Sequence, residues 1–265
     1  MIKQRAREIA RVNKASLSRI CLIIGVISAF PSLFDSGNGV MYIIYLIISA
    51  LLLAVEQGHV VAGLKVVTDR EQELSDNDGI YGLVNWIEYV PTYLVKVLVN
   101  FVIISIFVAL IVVCSLGSFG GLFALLSDPY SVSPVTRVVS GLTALSAILL
   151  FILLFVFAFV MIWVNLRMFA MTYLHQEYGI KGFWALKESF TLMKGHCVDL
   201  LLINLSFIGW ILLCAIISGM IGGVFGDNGI AGLTGSILSA AVAAYTYQPA
   251  YITVQALFYK EIAYL

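Results

Sequence analysis

The sequence predicts an all-α protein, a polytopic bundle of transmembrane helices, and three observations carry that prediction. Of its 265 residues, 61% are apolar and only 11% charged, where a soluble domain has about 45–50% and about 25%. The mean hydropathy is +1.02. Apolar runs long enough to cross a hydrocarbon layer recur from end to end, which excludes a water-soluble globule and leaves residues 1–265 as a single integral membrane domain.

A helix rises 1.5 Å per residue, so a layer of about 30 Å needs about 20 largely apolar residues. Six stretches qualify, near Ser18–Phe34, Val40–Val55, Tyr93–Ser115, Gly141–Trp163, Val198–Ile221 and Gly232–Leu257. Pro31 can end the first early, and the second can continue past Gln57 toward Leu64. A secretory signal peptide is the competing reading of the start, but Ser28 and Ala29 make a poor cleavage signature and the rest of the chain is itself polytopic.

Charge fixes the orientation. Fourteen of the fifteen Lys and Arg residues flank one side of these spans, and only Arg137 falls on the other, in the loop Gly117–Val139. By the positive-inside rule both termini are cytoplasmic and the protein is a multi-pass plasma-membrane protein. The turns at Asp35–Gly39 and Gly226–Gly229 lie on the outer side. The balanced total of 15 basic and 15 acidic residues gives no reason to expect nucleic-acid binding.

Three short amphipathic segments each precede a pair of spans. At the N-terminus Ile2, Ala6, Ile9 and Ala10 share a face beside Lys3, Arg7, Arg11 and Lys14, which are candidate contacts for anionic inner-leaflet lipid. Ile80, Leu83, Val84 and Ile87 follow N-cap candidates in Ser75–Asp78 and run until Pro91. Phe183, Leu186, Phe190 and Met193 form a third face, with Gly195 as the C-terminal cap. This arrangement suggests a threefold repeat of helix, span, span over residues 3–55, 79–163 and 182–257; cytoplasmic hairpins joined by amphipathic connectors would look the same.

Few residues suggest chemistry. Glu56 and His59 have the i, i+3 spacing of helical di-metal sites, yet no second such pair exists. His175, Glu177 and His196 lie on the same side, and their bland reading is that they mark where helices leave the bilayer. No hydrolase, metalloprotease or nucleotide-binding motif accompanies them, so no cofactor, metal or catalytic residue is expected. The four cysteines, Cys21, Cys114, Cys197 and Cys214, have no framework spacing and are expected as free thiols. Small residues from Ser218 to Gly226 and from Gly232 to Ala244 predict close helix packing, with a dimer interface or crevice as the functional alternatives. Tyr42, Tyr81, Trp86, Tyr89, Tyr93, Trp163, Tyr173, Tyr178, Trp184, Tyr259 and Tyr264 read as an interfacial belt. Neutral groups inside the spans, among them Asn100, Asn204, Ser206, Ser239 and Thr246, are expected to bond between helices.

Ala185-Leu-Lys-Glu-Ser189-Phe-Thr-Leu-Met193-Lys194-Gly195, then Leu205-Ser206-Phe-Ile-Gly209-Trp210, then Pro249 and Phe258-Tyr259-Lys-Glu261 resemble the C-terminal signature of a bacterial membrane family. That family is known as domain of unknown function 975 and is frequent in Gram-positive bacteria. Ala250 follows Pro249 where the family pattern has tyrosine, which here comes at Tyr251. The resemblance implies a multi-span plasma-membrane protein and brings no catalytic residue. Three functions remain, in this order: a non-enzymatic protein acting through lipid or protein partners, in an accessory, envelope-stress or immunity role and including a homo-oligomer; a transporter of a small or amphiphilic solute that is not ion-coupled; and an intramembrane enzyme.

Overall fold

A computed structural model describes residues 2–34, 39–68, 74–127, 134–225 and 229–264, with side chains undescribed at 2–3, 51, 114–127, 134–147 and 225. The described chain is helical: α1 (Ile2–Val12), α2 (Lys14–Ala29), α3 (Gly39–Leu52), α4 (Gln57–Val67), α5 (Tyr81–Val84), α6 (Trp86–Ser127), α7 (Pro134–Arg167), α8 (Met171–Tyr178), α9 (Gly182–Leu192), α10 (Cys197–Phe225), α11 (Gly229–Thr246) and α12 (Gln248–Ala263). Short 3-10 turns at Phe30–Phe34, Leu53–Glu56 and Asp76–Ile80 bridge them. Among the described residues, six stretches are long and apolar enough to cross a membrane: Lys14–Phe34, Gly39–Val67, Trp86–Val113, Ile148–Tyr178, Cys197–Val224 and Gly229–Thr246. The turns at Asp35–Gly39 and Gly226–Gly229, the side chains of Lys3, Cys114 and Arg137, and Asp128 lie wholly or partly outside the described residues.

Several boundaries differ from the sequence reading, the second span running on to Val67 and the fourth to Tyr178. The sixth span stops at Thr246, and α12 starts afresh at Gln248 with Pro249 in its first turn, where a residue without an N–H loses nothing. Residues 248–257 therefore leave the span and form a buried helix packed on α1 and α4. Pro91, expected to close a helix, lies inside α6. As the sixth residue of that helix it has no N–H to offer the Ile87 carbonyl four residues back, yet the helix runs on through it; the break falls instead at Asn85.

The chain forms two compact units. One comprises Met1–Leu94 with Arg167–Leu265, the other Val95–Leu166. In the first, Leu17, Ile20, Ile24, Val55, Ala62 and Val66 make one buried cluster. Ala6, Phe207, Val254 and Leu257 make another. Here α1 turns Ala6 and Ala10 inward and leaves Arg5, Arg7 and Arg11 exposed, and Lys14 at the start of α2 is exposed too. In the second unit most of the described apolar side chains are outward, Phe101, Phe151 and Phe155 among them, as expected of surface facing lipid. Its internal contacts include Phe107 against Phe157, with ring centres 4.9 Å apart, and Asn165 Nδ2 donating to Asn100 Oδ1 at 3.3 Å.

Small residues pack closely in some places and not in others. A Cβ on Gly25 would stand 2.6 Å from that of Ala240, so α2 and α11 approach through paired small residues. On α10, Gly219 and Gly223 do not pack in this way: a Cβ on either would meet nothing within 4 Å. Span hydroxyls expected to bond between helices bond mainly within their own. Ser206 donates to Ile203 O at 2.6 Å, Ser239 to Gly235 O at 2.9 Å and Thr246 to Val242 O at 2.7 Å. A hydroxyl can always reach the carbonyl three or four residues back, so no partner helix is needed. Asn204 does bond across helices, accepting from the Tyr251 hydroxyl at 3.2 Å.

Candidate functional site

The first unit brings together, where α4, α6 and α8 meet, a set of neutral polar side chains. Gln57 is fully buried. Its amide nitrogen donates to Thr172 O at 3.1 Å and to Gln176 Oε1 at 3.2 Å, and its oxygen accepts from the Tyr93 hydroxyl at 3.3 Å. Tyr89 donates to the same Gln176 oxygen at 2.6 Å. One turn along α6, the Thr92 hydroxyl accepts from the Gly182 N–H at 3.2 Å and faces His175 Nδ1 at 2.7 Å, while the His175 ring lies 4.5 Å from that of Tyr89. Gln57, Tyr89, Thr92, Tyr93, His175 and Gln176 thus each have a partner, the condition under which such a network rigidifies a core.

The candidate acid–base residues do not converge on this network as one catalytic set. Glu56 Oε2 pairs with His59 Nδ1 at 3.2 Å at the start of α4. His175 is held by Thr92. Glu177 pairs with Lys260 of α12, and His196 reaches only Asp199, at 3.8 Å. Among the described residues, no three His, Cys, Asp or Glu side chains come close enough to share a metal ion. Cys21, Cys197 and Cys214 are free thiols.

The aromatic belt is only partly a belt. Trp86, Trp163, Tyr178, Trp184 and Tyr264 are exposed, but Tyr89, Tyr93, Tyr173 and Tyr259 are buried. Tyr173 and Tyr259 stack at 4.7 Å. The Tyr89 and Tyr93 hydroxyls have protein partners and need not stay at a wet boundary, and the spacing Tyr89, Thr92, Tyr93 on one face of α6 was the signal for that inward polar patch.

Some of the signature residues are buried in contacts of the fold and others face outward. Ser189 is buried and donates to Arg167 O at 2.6 Å, while Arg167 donates to Phe190 O at 2.8 Å, so α9 is clamped to the end of α7. Met193 is fully buried, Lys194 is exposed, and Gly195 has φ +93, the left-handed conformation that favours glycine. In the stretch 205–210 the buried residue is Phe207, against Tyr251; Ser206, Gly209 and Trp210 face outward. Pro249 is buried and its carbonyl accepts from Thr253 at 2.7 Å. Phe258 packs on Phe169 at 6.0 Å.

The comparison with known families decides the membership. Residues 1–265 match the family described as "Protein of unknown function (DUF975)". The chain belongs to it. No curated protein and no solved structure matches the sequence. The DUF975 match thus covers the whole chain, including α9, α10 and α12, which hold the residues that first suggested it.

The Glu177–Lys260 pair has a pH signature. Burial pulls the Lys260 pKa down, but hydrogen bonds to Glu177 and to the Tyr264 hydroxyl more than offset it, and the net shift is upward from the ordinary 10.5. A raised folded-state pKa means that the stabilisation is fully present below the unfolded value and is lost as pH rises through the folded one. The stability gap between the native chain and Lys260→Met should be constant from about pH 6 to about pH 9 and shrink only above 10.5. Unfolding titrations across that range check it; a gap that closes near neutral pH contradicts it.

Proposed function

We propose that this is a multi-pass protein of the bacterial plasma membrane, with both termini cytoplasmic, that works without catalysis by engaging anionic lipid of the inner leaflet through α1. The observation that carries the reading is the fixed presentation of Arg7 and Arg11 on one face of α1, with Lys14 exposed at the start of α2. Ala6 and Ala10 are buried against the first unit, so α1 spends its apolar face on α12 rather than on lipid and shows a basic ridge with only Glu8 among it. Such a ridge binds by charge, and each Lys or Arg near an anionic surface contributes about 1 kcal/mol. The fourteen-to-one split of basic residues supports the orientation. The acid–base groups that do pair, Glu56 with His59, Lys65 with Asp78 and Glu177 with Lys260, are dispersed rather than gathered at one reacting centre, which favours a binding role.

The test is the lipid that the full-length protein retains through mild extraction at low salt. Reversing two charges with Arg7→Glu and Arg11→Glu should lower the ratio of anionic to zwitterionic lipid retained by about tenfold or more. The effect should fade with added salt, since exposed charges are screened. An unchanged ratio in the double variant sinks the proposal.

A further inference from the structure

A cleft of about 360 Å³ lies between α2, α3 and α11, within the size range of small-molecule sites. It exists because α2 and α3 meet mainly at their ends. The turn Phe30–Phe34 touches α3 and the turn Leu53–Glu56 touches α2, and the helices between those contacts stand apart. Every lining residue except Gln248 belongs to a stretch able to cross a membrane. Gly25 and Ala240 form its small-residue floor, and Ile24, Ala29 and Pro31 give it an apolar wall. Ser28, Ser49 and Tyr45 add hydroxyls.

Glu56, His59 and Gln248 also line this cleft. Two of their atoms, His59 Nε2 and Gln248 Oε1, are buried without a protein hydrogen-bond partner. A buried polar atom left unpaired costs free energy, and such an atom in a native structure calls for a partner. In the tautomer that donates Nδ1–H to Glu56 at 3.2 Å, Nε2 is the acceptor nitrogen of the ring. Gln248 Oε1 is an acceptor and the Glu56 carboxylate is an anionic one. The cleft therefore offers acceptors and a negative charge beside apolar wall.

We propose that the cleft binds the primary ammonium group of an amphiphile, with its apolar stem lying along Ile24 and Pro31. A primary ammonium carries three N–H donors and one positive charge, so it complements Glu56, His59 Nε2 and Gln248 Oε1 in both hydrogen bonding and charge. A quaternary ammonium has the charge and no donor. This site is independent of the basic ridge on α1, and neither stands on the other.

The experiment uses the full chain in phosphatidylcholine nanodiscs with radiolabelled decylammonium as the probe. Saturable binding above that of empty discs is expected, and Glu56→Gln and Gln248→Leu should each weaken it by about tenfold or more. Decyltrimethylammonium and ethylammonium should each compete at least about tenfold less well than decylammonium, the first lacking donors and the second a stem. Ser49→Phe, which fills the cleft without touching the three acceptors, should abolish binding in a chain that elutes as the native one does. Absence of saturable binding overturns the site. Equal competition by the trimethyl compound overturns donor recognition, equal competition by ethylammonium overturns the amphiphile, and native affinity in Ser49→Phe overturns the location.

Discussion

Gly82→Ala is expected to prevent accumulation of folded protein, or to cost about 3 kcal/mol or more in whatever folds. A Cβ at Gly82 would stand 1.8 Å from Ala54 O and 2.8 Å from Ala54 C. Those are backbone atoms of the turn Leu53–Glu56, which leads directly into Gln57 and the polar network, so no side chain can swing away to make room. Gly58 is nearly as constrained, since its Cβ would lie 2.7 Å from Asp78 O and 2.9 Å from Ile24 Cδ1. Together the two glycines let α5 and the turn before it lie against α4. Gly223→Ala supplies the contrast: it meets nothing within 4 Å, and alanine is the better helix former, so it should fold at least as well as the native chain. The readout is the yield of monodisperse protein and the heat-induced loss of that species. Equal behaviour of Gly82→Ala and Gly223→Ala would mean that α5 does not pack where it stands.

This constraint marks where sequence reasoning ends. The spans were legible because lipid imposes a one-dimensional rule: about 20 apolar residues cross the layer, whatever their neighbours are. The family was legible from Ser189, Gly195 and the residues around Trp210 and Tyr259. What escaped was the region where the chain packs as a soluble core does. Residues 248–257 are apolar enough to extend the sixth span, and only Pro249 hinted that they begin a new helix buried on α1 and α4. Tyr89 and Tyr93 have the composition of a boundary belt, and their hydroxyls are met by Gln176 and Gln57, 87 and 36 positions away along the chain. A polar side chain between apolar ones gives no sign of which distant partner satisfies it. For the same reason the cleft at Glu56 and His59 could be suspected only as an i, i+3 pair; its walls come from α2 and α11, which periodicity places on no particular neighbour.

Asp78→Ala is the second large effect expected, at about 3 kcal/mol of stability. Asp78 is buried at the turn Asp76–Ile80. One carboxylate oxygen accepts from Lys65 Nζ of α4 at 2.8 Å, and the other accepts from the Ser75 N–H at 3.1 Å, completing a capping box with the Ser75 side chain. A single side chain thus neutralises a partly buried ammonium and holds the turn whose carbonyls press on Gly58. Removing one partner of a buried pair is costly because the other charge keeps its desolvation without the attraction that offset it. The cap alone contributes about 1 kcal/mol, so charge should dominate. The double variant Asp78→Leu with Lys65→Met separates the two contributions, since replacing a buried pair by apolar residues of similar volume is often neutral or stabilising. It should recover most of the loss, leaving a deficit of about 1 kcal/mol for the missing cap. Unfolding titrations in mixed micelles give the comparison. A double variant no more stable than Asp78→Ala would show that the turn, rather than the ion pair, is what Asp78 holds.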